Sequence, residues 1–69
     1  MMNFNDMTIN FSGKRLVADQ YTLNFVSMLA QEAAKEYDRE GHIHMAKEAR
    51  DFARHIYNEL EKAGVYKDF

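Results

Sequence analysis

The fold class this chain predicts is all-α: an antiparallel helical hairpin with a short extended N-terminal arm, dimerising into a four-helix bundle. Apolar residues recur at three- and four-residue spacings over two long stretches, which is the period of a helix with one buried face. Glycines stand where helices of that length would end, at Gly41 and Gly64. Proline is absent, which suits a mostly helical chain. The expected organisation is an arm over 1–16, a hairpin over 17–64 with helices at about 17–40 and 43–63, and a tail over 65–69.

In the arm, Met1 to Asp6 is polar apart from its methionines and Phe4, so it forms a loose end unless Phe4 docks on the hairpin. Met7-Thr8-Ile9-Asn10-Phe11 alternates apolar and polar, the period of a half-buried strand. A short strand cannot stand alone. Ser12-Gly13-Lys14-Arg15 is a turn signal, which leaves three arrangements open. The strand folds back on Leu16-Val17, lies across the helices and inserts Met7, Ile9 and Phe11 into their groove, or pairs with the same strand of a second copy.

The first helix is apolar at Ala18, Leu23, Phe25, Val26, Leu29, Ala30, Ala33, Ala34 and Tyr37, spread over roughly half the circumference. One partner helix cannot cover that width. Tyr21 and Met28 widen it further, so Tyr21, Phe25, Met28 and Leu29 are the expected interface for another chain. The polar face is narrow, formed by Gln20, Asn24, Gln31, Lys35 and Asp38. The helix is expected to start between Gly13 and Asp19, with Ser12, Asp19 or Thr22 as the cap and no Glu or Gln to complete a capping box.

The second helix repeats the pattern at Met45, Ala46, Ala49, Phe52, Ala53, Ile56, Leu60 and Ala63, which with Tyr57 fill an arc of roughly 140°. Ala63-Gly64-Val65 fits a Schellman ending, with Val65 placed to touch Leu60. The tail, Val65 to Phe69, carries two aromatic residues that could cover the open end of the hairpin.

Ala34, Tyr37, Gly41, Ala46 and Ala53 fall at spacings that resemble the small-aromatic-glycine-alanine-alanine pattern of one tetratricopeptide hairpin. The resemblance covers about half the chain. Arg50 stands where that family has an aromatic residue, the terminal proline is missing, and solenoids need about three repeats where this chain has one copy. No peptide-binding residues are carried over from it.

Sixty-nine residues make room for one domain, and a chain this short seldom builds a core worth more than about 3–5 kcal/mol without a staple. With no cysteine, disulfides and thiolate zinc sites are excluded. Association is the remaining route to stability. The net charge of −2 comes from interspersed signs, which indicates neither a strongly basic nucleic-acid surface nor an acidic mimic. Apolar runs reach only three residues, far below the roughly 20 needed to span a bilayer. No secretory pattern opens the chain, so the expected residence is cytoplasmic.

Three constellations could carry chemistry. His44, Glu48, Asp51 and His55 share one helical face and could hold a divalent ion, with His42 nearby, but the stripe lies at the centre of a polar face without a dry surround, and no metal site is assigned. Lys47, Arg50 and Arg54 form a basic stripe for a partner or for nucleic acid, extended by Lys35 and Arg39, beside an acidic stripe of Glu32, Glu36 and Glu40. Ser12-Gly13-Lys14 lacks the spacing of a phosphate loop, and Ser27 has no placed base. A chain of this size is also expected to offer little concave surface for a pocket of a few hundred cubic ångströms, except between subunits. By elimination, the expected function is a non-enzymatic protein–protein interaction module, an adaptor or inhibitor-like regulator. It would act as a homodimer on a larger protein, without catalytic residues, cofactor or membrane. The alternative is a nucleic-acid-binding regulator using the basic stripe.

Overall fold

The computed structural model describes residues 6–64 of the chain. The element order is β1 (Met7–Phe11), β2 (Lys14–Ala18), α1 (Gln20–Arg39) and α2 (Ile43–Lys62). The all-α expectation is therefore overturned: two helices carry a two-stranded antiparallel sheet. Among the three arrangements left open for the arm, the strand folds back within its own chain.

The turn chemistry accounts for that choice. Ser12 and Gly13 both adopt positive φ, 55° and 78°. Two such residues form the mirror-image turn whose twist matches a β-hairpin. Closing it sets Phe11 against Lys14, Ile9 against Leu16 and Met7 against Ala18. Partners in register share a face, so Met7, Ile9, Phe11, Leu16 and Ala18 point the same way, with Lys14 among them. Thr8, Asn10, Arg15 and Val17 point outward. An isolated hairpin is marginal in water. This one is held by Ile9, which is buried to 1% exposure between the helices.

β2 takes Val17 and Ala18 out of the expected first helix, which begins at Gln20, just beyond the expected window. Asp19 is its cap, accepting the Thr22 backbone N–H at 2.7 Å. At the other end Gly41, with φ of 83°, sits one residue past the Glu40 cap. Gly41 donates to the Asp38 carbonyl and His42 to that of Tyr37, the paired bonds of a Schellman ending. The Gly64 ending of α2 shows the first of these bonds, from Gly64 to Glu61. The expected Val65–Leu60 contact, the Phe4 docking and the tail lie outside the described residues.

The helices pack antiparallel as expected: Asp38 meets Arg50 near the turn, and further along Ser27 donates its hydroxyl to the Ala53 carbonyl at 3.2 Å. Alanines 34, 46 and 53 are buried and let the backbones approach. At the far end Leu23, Ile56 and Leu60 join Ile9 in the core, with Met7, Leu16, Ala18, Val26 and Phe52 packed around them. The core is thin: among the described residues, four large side chains are fully enclosed. The buried side of α2 matches expectation except at Met45, Tyr57 and Ala63, which are exposed. No helix among the described residues is long and apolar enough to cross a membrane.

Candidate functional site

At 100° per residue, Leu23, Ser27 and Ala34 mark the side of α1 turned to the core. Tyr21, Phe25, Met28 and Leu29 occupy an arc of about 100° centred on the opposite side. They are 83%, 58%, 55% and 51% exposed. Covering the helices with a β-hairpin has thus left this face bare, because the hairpin sits on the flank that carries Val26. The first half of α1 is apolar on both its inner and outer sides. The same outer face continues toward the C-terminus as Glu32, Lys35, Glu36 and Arg39, paired Lys35 to Glu32 and Arg39 to Glu36.

The expected polar face of α1 is partly used up: Gln20 and Asn24 are half-buried, and Asp38 is drawn to Arg50.

The basic stripe is present on α2, and each member has a carboxylate partner within the chain, Lys47 and Arg54 sharing Asp51. Lys47 pairs with Asp51 at 2.9 Å, Arg50 with Asp38 at 2.7 Å, and Arg54 with Asp51 at 3.8 Å. The Lys47 ammonium, donating to Asp51, holds that carboxyl below its usual range, with Arg54 and Arg50 adding to the effect. Arg50, Arg54 and Lys35 line a shallow groove of about 480 Å³ between the helices, floored by Ala34 and Ala53. The acidic stripe is likewise paired, Glu40 lying 3.7 Å from His42.

The His44, Glu48, Asp51 and His55 stripe is dispersed rather than convergent. Asp51 turns to Lys47, Glu48 accepts from the Ser12 hydroxyl at 3.4 Å, and the His55 ring lies 5.6 Å from that of Phe11. Among the described residues no three histidine, cysteine or carboxylate side chains are placed to hold a metal ion.

A second site was not foreseen from the residues. The hairpin and the helices enclose a cleft of about 560 Å³, open to solvent and lined mainly by apolar side chains. Its walls are Ile9, Phe11 and Leu16 from the sheet, Met45, Ala49 and Phe52 from α2, and Tyr37 from α1. The Phe11 and Phe52 rings lie 5.2 Å apart, tilted at 45° to each other. Ser12, Lys14, Arg15 and Glu48 form its lip. The expectation that so short a chain offers little concave surface except between subunits is corrected: a gap lies between the inner face of the hairpin and the helices within one chain. The signal was in the register, since a hairpin closed at Ser12-Gly13 places Lys14 and Phe11 together.

The arrangement defines a small α+β class, a β-hairpin laid on an antiparallel helical pair, with one bare apolar helix face and one apolar cleft. Comparison with protein families, curated proteins and solved structures finds no match, for the tetratricopeptide family or any other. The small residues behind that resemblance, Ala34, Ala46 and Ala53, are the ones buried where α1 and α2 meet.

Proposed function

We propose that the chain is a small non-enzymatic protein–protein interaction module, an adaptor or inhibitor-like regulator of a larger protein, working in the cytoplasm as a homodimer. The observation that carries this reading is the outward apolar face of α1, where Tyr21, Phe25, Met28 and Leu29 each keep more than half of their surface exposed. The occupant is a second copy. Outward charges on the same helix are already paired with one another, so two such faces meet without net repulsion, and a two-fold interface requires that self-compatibility. The thin core adds a motive, because a chain whose described residues enclose four large side chains gains stability from whatever covers more.

Covering half-exposed side chains of this size returns on the order of 1 kcal/mol each. Set against an association cost of at least about 4 kcal/mol, eight of them support a weak pair, with a dissociation constant on the order of 1 mM. Light scattering on a sizing column tests it. The expected mass rises with loading, and Phe25→Asp with Leu29→Asp holds it at one chain. A wild-type mass that stays at one chain up to roughly 1 mM would refute the dimer.

The groove holding Lys35, Arg50 and Arg54 supports the second reading, nucleic-acid binding. Each of these cations has a carboxylate partner, Arg54 sharing Asp51 with Lys47, and this weighs against it. Duplex binding that weakens with salt and is lost on reversing Lys47, Arg50 and Arg54 would promote it.

A further inference from the structure

We propose that the cleft between the β-hairpin and α2 binds a small amphipathic monoanion, its apolar body against Phe11, Leu16, Met45 and Phe52 and its head group at Lys14.

The distribution of charge supports the anionic head. Among the described residues, Lys35, Arg39, Lys47, Arg50, Arg54 and Lys62 each have a carboxylate partner. Lys14 and Arg15 have none, and both stand on the lip of this cleft. Lys14 is the more telling of the two. The register places it directly across from Phe11, on the side of the sheet that faces the helices, where the other residues are apolar. An ammonium group beside a greasy surface and without a counter-ion is a recognition element for a ligand that carries both characters. The one acid on the lip, Glu48, already accepts from the Ser12 hydroxyl, and two cations against one carboxylate leave a single positive charge to be matched.

Shape agrees with that chemistry. The volume, about 560 Å³, falls within the roughly 300–1,000 Å³ of small-molecule sites. The walls come from three elements, so the site exists only while the hairpin is seated on the helices. It lies away from the α1 face proposed for pairing, and neither proposal requires the other.

The probe is 8-anilinonaphthalene-1-sulfonate, titrated by fluorescence on the full chain, with decanoate and decyltrimethylammonium as competitors. Expected are one bound probe per chain, displacement by decanoate and not by the cationic amphiphile, and an affinity lowered about tenfold by Lys14→Glu. Arg15→Glu lowers it less, and Phe25→Asp with Leu29→Asp leaves it unchanged. Circular dichroism of each variant separates a lost fold from a lost site. Any of three results would overturn the proposal: no saturable binding below roughly 1 mM, a folded Lys14→Glu chain that binds as the wild type does, or binding abolished by the α1 substitutions.

Discussion

Asp19 and Ser12 show how much of this fold turns on single positions. The Asp19 carboxylate accepts the Thr22 N–H and the Thr22 hydroxyl, which hold its pKa below the usual value of 3.8. A depressed native pKa contributes stability that is present above the unfolded value and is lost as pH falls through the native one. Asp19→Ala is therefore expected to lower Tm at pH 7, and the gap from wild type should narrow as pH is taken below 3.8 in thermal melts followed by circular dichroism. A gap that stayed constant with pH would show that the cap does not act through its charge. At Ser12, a residue with a Cβ is held at φ 55°. Asparagine tolerates that region better, and Asn-Gly is the favoured pair for this turn. Ser12→Asn is expected to stabilise the chain by about 0.5–1 kcal/mol in denaturant unfolding.

Among the elements, the β-hairpin depends most on its neighbours. Ile9 is its anchor, enclosed with Leu23, Ile56 and Leu60. Ile9→Ala should cost about 2–5 kcal/mol, comparable with the whole stability of a domain this small. If the hairpin lifts off alone, hydrogen exchange will show Met7 to Ala18 unprotected while α1 and α2 stay protected. Loss of both together is expected if sheet and helices form one cooperative unit, which the shared core favours.

The helices were legible in the residues because each has a long period and a glycine ending, and Gly41 delivers both bonds of its motif. β1 was legible as an alternating strand. β2 was not, because its inward residues are Lys14, Leu16 and Ala18 and its outward ones Arg15 and Val17, so polarity does not alternate. Ala18 also reads as the start of a helix. Because the residues leave pairing on Leu16-Val17 as one of three open arrangements, they read as all-α and keep the cleft hidden, whereas the outward apolar face of α1 depends on one helix alone and could be read directly from Tyr21, Phe25, Met28 and Leu29.

For the whole molecule, α2 packs along α1 and the β-hairpin packs on the shared core of Leu23, Ile56 and Leu60, while the outer face of α1 is left in water. The cleft and the α1 face are separate surfaces, which allows a paired chain to keep both ligand sites open. Isotope-filtered NMR on an equal mixture of labelled and unlabelled chains at several hundred micromolar tests the pairing most directly. The expected result is a set of contacts between copies that joins the rings of Tyr21 and Phe25 to the methyl groups of Met28 and Leu29. Spectra with no contact between copies, or with contacts running only through Phe11, Met45 and Phe52, would contradict it.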